Sequence, residues 1–219
     1  MSKIIQTNFN GDPNLGIYGF ATDKYCLLGI KLANPAKIES ALGVKIIRCP
    51  FFGTEISGIF SAGNSCGMAV PSSIEEEEIA ILEKKTRVLR LETKYTALGN
   101  LMLMNDKGCI ISRLIKEEKS CIERFFGIEC HIFDSVIGVV GSAALANNRG
   151  CIVHPNLGER EVAQISRALA VDCQPGTANF GSPFVGSCSI ANSRGIVASE
   201  QSTGIEVSRM EEILLGIEQ

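Results

Sequence analysis

The residues of this 219-residue chain with nucleophilic or metal-ligating chemistry are nine cysteines and two histidines, His131 and His154. A thiolate metal site needs paired ligands a few residues apart, and the chain contains no CxxC, so neither a metal nor a cofactor is expected. An odd cysteine count argues against a disulfide framework. The start MSKIIQTNF lacks the long apolar core of a signal peptide, and the longest apolar run, Val136 to Ala146, is too short to span a bilayer. A cytoplasmic protein with reduced thiols and no membrane contact is the expectation. The nearest candidates for a nucleophile and a base are Cys188 and His154. Cys188 is flanked by Ser187 and Ser189, His154 stands before Pro155, and neither lies in a motif that dedicates acidic partners to it. No catalytic residue is assigned. The GTANFGS stretch from Gly176 lacks the Lys and following Ser or Thr of a phosphate-binding loop and reads as a connection.

The elements that hold these residues emerge from an internal repeat. The segments GIYGFATDKY, GIFSAGNSCG, GNLMLMNDKG, GSAALANNRG and GSCSIANSRG begin at Gly16, Gly58, Gly99, Gly141 and Gly186, and align without a gap. Each copy is a run of small and apolar residues, then a polar turn headed by Thr22, Asn64, Asn105, Asn147 or Asn192. Gly67, Gly108, Gly150 and Gly195 close four of the turns, as if at positive φ, and Tyr25 replaces Gly in the first. A second strand, a helix and a third strand follow.

Ser72 and Ser73, three residues before Glu75 and Glu76, suggest a capping box, which makes the EEEE run a solvated helix start. Asn34–Pro35 and Gly43 bracket the first helix. Further helices are expected at about 115 to 126, 159 to 169 and 205 to 215, with third strands in VKIIRC, RVLRLE and ECHIFD.

The expected fold is therefore α/β, with five strand-strand-helix-strand units at approximately 10–50, 51–93, 94–135, 136–180 and 181–219 in one domain. The fifth unit runs out after its helix, so an N-terminal strand at 3–9, in KIIQTNF, should complete it and close the ring. Cys26, Cys109 and Cys151 share one repeat position just after the turn, while Cys49, Cys130 and Cys173 fall in or beside third strands; all six read as core. The repeat-start Gly suits inner strands that approach a common axis, where side chains would collide.

On these residues, TALGNLMLMNDKG (Thr96 to Gly108), GSAALANNRGCIVHP (Gly141 to Pro155) and GTANFGSPFVGSCSIANSRG (Gly176 to Gly195), the chain resembles the translation initiation factor six family in its archaeal form. The resemblance extends through all five units and is weakest in the first, with its Tyr25. It implies a pentein fold, five quasi-identical α/β units around a pseudo-fivefold axis, a closed β/α propeller. It implies a monomeric factor that binds the intersubunit face of the large ribosomal subunit, against a ribosomal protein beside the sarcin-ricin loop, and sterically blocks premature joining of the small subunit. A role in large-subunit maturation and release by a translational GTPase with a companion maturation protein are implied as well.

A ring of such units has two faces, and the turn tips and strand starts recur on the same side in each unit. Candidate ribosome contacts are Asn100, whose repeat counterparts are Ile17, Ile59, Ser142 and Ser187, and the turn residues Asn64, Asn105, Asn147 and Asn192. Asn also satisfies backbone groups in such turns, so both roles stand open for these four. Lys107, Arg149 and Arg194 at the turn tips, and Thr177 and Asn179 in the loop before unit five, complete the set. With a net charge of −3 and so few tip cations, limited rRNA contact and a shallow salt dependence are expected. The rival is an enzyme modifying guanidino groups through a Cys nucleophile, since the same architecture hosts such enzymes.

Overall fold

The computed structural model describes residues 4–217. The chain opens with strand β1 (Ile4–Thr7), and four units of like construction follow. They comprise β2 (Gly19–Ala21), β3 (Tyr25–Leu28), α1 (Pro35–Leu42) and β4 (Lys45–Arg48); β5 (Ala62–Asn64), β6 (Gly67–Pro71), α2 (Glu76–Glu83) and β7 (Arg87–Leu91); β8 (Met102–Met104), β9 (Gly108–Ser112), α3 (Lys119–Phe126) and β10 (Glu129–Phe133); and β11 (Ala144–Ala146), β12 (Gly150–Val153), α4 (Glu159–Leu169) and β13 (Asp172–Pro175). The fifth holds β14 (Ile190–Ala191), β15 (Ile196–Ser199) and α5 (Gly204–Leu215).

In every complete unit the first two strands form an antiparallel hairpin, and the helix carries the chain back to a third strand parallel to the second. The fifth unit has no third strand of its own. β1 takes the place, parallel to β15 with Ile4 opposite Ile196 and Thr7 opposite Ser199, as the repeat count requires. The result is five three-stranded sheets in the pentein arrangement. Position 3 of the expected N-terminal strand and positions 218 and 219 of the fifth unit lie outside the described residues.

The middle strands read as unbroken apolar runs because both of their faces are buried. Cys26 and Leu28 of β3 face a core shared with Ile190 and Val197 of unit five, while Tyr25 and Leu27 face a core shared with Met68 and Val70 of unit two. The same alternation sends Cys109 and Ile111 one way and Ile110 the other. Each of the five cores therefore lies between consecutive units, and the six cysteines expected in the interior are all buried there.

Several local expectations need correction. The repeat-start glycines lie in one-turn helices (Leu15–Ile17, Ser57–Phe60, Leu98–Leu101, Val140–Ala143 and Val185–Cys188) that precede the inner strands. Three or four residues are too few for helical periodicity to register in the sequence. The N-cap of α2 is Glu75, which forms a capping box with Glu78; Ser72 and Ser73 lie before it. Residues 113–118 form a 3-10 segment ahead of α3. Gly67, Gly108 and Gly150 are not at positive φ. They permit close approach instead: a Cβ on Gly108 would stand 1.8 Å from the Ala168 carbonyl oxygen, and one on Gly150 2.1 Å from that of Ile213. Gly43, at φ 63°, does end α1 as expected.

No helix among the described residues is long and apolar enough to cross a membrane. No group of three or more His, Cys, Asp or Glu among them is placed to hold a metal ion.

Candidate docking ends of the ring

The five repeat-start glycines touch one another in a closed cycle. A Cβ on Gly16 would lie 2.0 Å from the carbonyl oxygen of Gly186, on Gly58 2.1 Å from that of Gly16, and on Gly99 1.8 Å from that of Gly58. On Gly141 it would lie 1.9 Å from that of Gly99, and on Gly186 2.1 Å from that of Gly141. Any side chain here would overlap a neighbour's backbone, which explains Gly in all five copies. These glycines ring one end of the axis, and the inner strands β2, β5, β8, β11 and β14 carry the chain from there to the hairpin turns at the other. Turn tips and strand starts thus each recur on one side, but the two sets occupy opposite ends.

At the turn end, the four candidate asparagines are interior. Asn64, Asn105, Asn147 and Asn192 are between 1% and 6% exposed. Each folds its carbonyl oxygen back onto its own turn, as Asn105 Oδ1 does in accepting from Lys107 N at 2.9 Å and Gly108 N at 3.0 Å. The amide nitrogen reaches into the next unit. Asn64 donates to the Asn105 carbonyl, Asn105 to Asn147, Asn147 to Asn192 and Asn192 to Thr22, at 2.9 to 3.2 Å. Three of them donate a second bond to the end of the neighbouring unit's helix, Asn105 to Leu169, Asn147 to Leu214 and Asn192 to Leu42.

Thr22 has too short a side chain to continue the series, and Tyr25 bridges that seam by donating from its hydroxyl to the Gly67 carbonyl at 2.8 Å. The Tyr in place of a turn Gly thus closes the one gap in the ladder. Burial foremost pushes its hydroxyl pKa up.

The tip cations are engaged by neighbouring carbonyls. Lys107 Nζ donates to Ala170 O at 3.2 Å and Arg149 Nη1 to Leu215 O at 3.1 Å, both at helix C-termini, where a cation meets the negative end of the macrodipole. Arg194 donates to the Asp23 carbonyl. Beyond them, Asn148 Nδ2 bridges the Asp23 and Asp106 carboxylates at 2.8 and 2.7 Å, and Asp106 also accepts from Ser65.

The glycine end is different. Asn100 and its counterparts Ile17, Ile59, Ser142 and Ser187 are half-buried around the mouth of an axial cavity of about 90 Å³. Ser142 Oγ donates to Asn100 Oδ1 at 2.8 Å. That bond fixes the amide plane, and the Asn100 NH2 has no acceptor among the described residues. The sequence signal for Ser142 is its place directly after Gly141, in register with Asn100 after Gly99.

Thr177 and Asn179 lie on the loop that leads into this end from β13. Thr177 Oγ1 donates to Glu206 Oε1 at 2.8 Å, and Asn179 Nδ2 to the Pro13 carbonyl at 2.9 Å in the equivalent loop of unit one. Asn179 and Phe180 have φ of 49° and 59°, an unfavourable region for side chains of this size. The buried Glu206 holds the bend, accepting from Phe180 N and Gly181 N as well as Thr203 N. Burial alone would raise the Glu206 carboxyl, but the bonds from Thr203, Gly181 and Thr177 outweigh it and hold the group below its usual range.

The two residues with chemical potential do not form a pair. Cys188 Sγ lies 3.4 Å from Ser182 Oγ and 3.8 Å from Asn14 Oδ1, and burial foremost keeps its thiol above the ordinary value. His154 Nδ1 accepts from Asn156 N at 3.1 Å and its ring packs edge-on against Phe184. A poised thiolate needs a neighbouring cation or base, and neither set of contacts supplies one.

The eIF-6 family model matches residues 4–213. A translation initiation factor 6 from Pyrococcus abyssi is 34% identical over 96% of this chain and 98% of its own. Proteins of the same name from Methanocaldococcus jannaschii and Staphylothermus marinus are 34% and 31% identical, each over 98% of this chain and 99% and 98% of their own. Among solved structures, a DDAH from Pseudomonas aeruginosa complexed with citrulline covers 74% of this chain and 68% of its own at 16% identity and a TM-score of 0.45. At that level nothing about chemistry transfers, and the rival enzyme reading gains nothing from it. These three relatives, matched over nearly their whole length, are named as translation initiation factors, and this chain belongs to the eIF-6 family of translation initiation factors.

Proposed function

We propose that this protein binds the intersubunit face of the large ribosomal subunit through the glycine end of its axis and sterically prevents premature joining of the small subunit. No bond is made or broken; the activity is occlusion, with a role in subunit maturation. The observation that carries the choice of end is the contrast between Asn100 and the turn asparagines. Asn100 keeps an oriented NH2 at the surface, whereas Asn105 and its equivalents are buried with both ends of the amide bonded within the ring.

Asn64, Asn105, Asn147, Asn192, Lys107, Arg149 and Arg194 are accordingly assigned to holding the ring together. Asn100 makes the principal contact, flanked by the Thr177 and Asn179 loop. The partner at this end is the ribosomal protein beside the sarcin-ricin loop, with limited rRNA contact, and a translational GTPase with its companion protein releases a monomeric, cytoplasmic factor.

The test is co-sedimentation with isolated large subunits together with inhibition of their joining to small subunits. The unsubstituted protein should bind and inhibit. Asn100→Ala should bind more weakly at unchanged thermal stability, and Arg149→Ala should bind as the parent does. Normal binding by Asn100→Ala, with loss in Arg149→Ala, would reverse the assignment of ends. Few phosphate contacts predict a shallow fall of affinity with salt.

A further inference from the structure

We propose that the axial cavity at the glycine end is a socket for one aliphatic side chain of the docked protein partner, whose main chain is hydrogen-bonded at the rim by Asn100 and Ser187. This rests on the glycine end being the docking end.

The cavity has a polar and apolar rim and an apolar wall. Its rim residues at the glycine end, Ile17, Ile59, Asn100, Ser142 and Ser187, are half-buried; along the inner strands Met102, Met104, Ile190 and Ala191 are buried and Ala21, Leu145 and Ala146 half-buried. The two hydroxyls set into that wall are engaged: Ser61 Oγ donates to the Ser57 carbonyl at 2.7 Å and Ser189 Oγ to Met210 Sδ at 3.8 Å. No Lys, Arg, Asp or Glu lines the cavity, so a phosphate or a charged side chain would be buried without a counter-charge.

Size narrows the occupant further. About 90 Å³ is well below the roughly 150 Å³ of an apolar cavity that takes benzene, which favours an aliphatic group over an aromatic one. The rim breaks the fivefold pattern in a useful way. Units one and two present Ile17 and Ile59 as an apolar arc, and units three, four and five present Asn100, Ser142 and Ser187 as a polar arc. A peptide segment crossing the mouth can lay carbonyl oxygens on the Asn100 NH2 and the Ser187 hydroxyl, neither of which has a side-chain acceptor among the described residues, while its side chain enters the wall.

Ser187→Phe narrows the mouth while leaving Asn100 and Ser142 unsubstituted, and Ser187→Ala opens it slightly. Ser187→Ile carries the residue that units one and two already hold at this repeat position and leaves the Ser142–Asn100 bond in place, so it serves should Ser187→Phe unfold. Loss of a buried aliphatic contact predicts at least about tenfold weaker binding to large subunits for the narrowing variant that keeps the parental melting temperature, with Ser187→Ala, which gives up only the rim hydrogen bond, about threefold weaker than the parent. Parental affinity in a folded narrowing variant overturns the socket and means that the cavity holds only water. If Asn100→Ala weakens binding in that same series, the docking end stands while the socket falls. Failure of the unsubstituted protein to co-sediment overturns both.

Discussion

The side-chain amide of Asn105 donates to the main-chain carbonyl of Asn147, 3.0 Å away in the next unit, while its own carbonyl oxygen closes its own turn. One residue therefore couples local turn geometry to the joint between units. Asn105→Ala would strand the Asn147 and Leu169 carbonyls and two turn N–H groups in the interior, a cost of about 2–4 kcal/mol. For a chain of this length that is a fall of about 5–15 °C in melting temperature. Folded Asn105→Ala should keep parental affinity for large subunits, which a calorimetric scan paired with co-sedimentation measures; weakened affinity at parental stability would move Asn105 back among the contacts.

The glycine cycle makes a sharper prediction. Gly141→Ala drives a Cβ to within 1.9 Å of the Gly99 carbonyl oxygen, and no side-chain rotation relieves a clash with backbone. The variant should be insoluble or lose more than about 3 kcal/mol. Gly138→Ala, three residues earlier with nothing within 4 Å of its Cβ position, should fold normally, and soluble yield with circular dichroism distinguishes the two.

Much of this was legible in the sequence because repetition is visible without any knowledge of contacts. The spacing of Gly16, Gly58, Gly99, Gly141 and Gly186 announces five units, and the strand missing after α5 points to β1. What a repeat does not disclose is where a side chain goes once it leaves its own unit. Asn147 looks like a turn residue, and half of it is one; its Nδ2 ends on Asn192 and Leu214, contacts 45 and 67 residues away. Arg149 reads as a surface cation because the Leu215 carbonyl that receives it belongs to the next unit. Gly108 and Gly150 read as positive-φ turn residues for the same reason, since the helix backbone that crowds them is not local. Asn100 stands out because the repeat does not require it, and that logic holds in three dimensions, where among the described residues Ser142 alone hydrogen-bonds its side chain.

The thiols should fall into two classes. Cys66 and Cys121 are exposed, whereas the other seven are buried. Burial, helped by Glu39, pushes the Cys26 thiol up to about 12, and burial with Glu78 pushes Cys49 up to about 11. A disulfide reagent at pH 8 should therefore titrate two thiols in the native protein and all nine after denaturation. Rapid reaction at Cys188 would reopen the question of a nucleophile.

Glu206 supplies a pH dependence with a definite sign. Its folded carboxyl is held below the unfolded value by bonds from Thr203, Gly181 and Thr177 that outweigh its burial, so the charged form is favoured in the native state. The stability it contributes is fully present above the unfolded carboxyl value, about 4.3, and is lost as pH falls through the lower folded value. Glu206→Gln keeps the size but gives up charge-assisted bonds, at about 2–3 kcal/mol near neutral pH. The gap in melting temperature between parent and Glu206→Gln should then be largest at pH 7 and shrink below pH 4. A gap that stays constant across that range would mean the carboxylate charge does not hold the Asn179–Gly181 bend. Because that bend leads into the glycine end, Glu206→Gln should also weaken subunit binding at temperatures where the protein remains folded, an effect that Glu212→Gln, farther along the same helix, should not share.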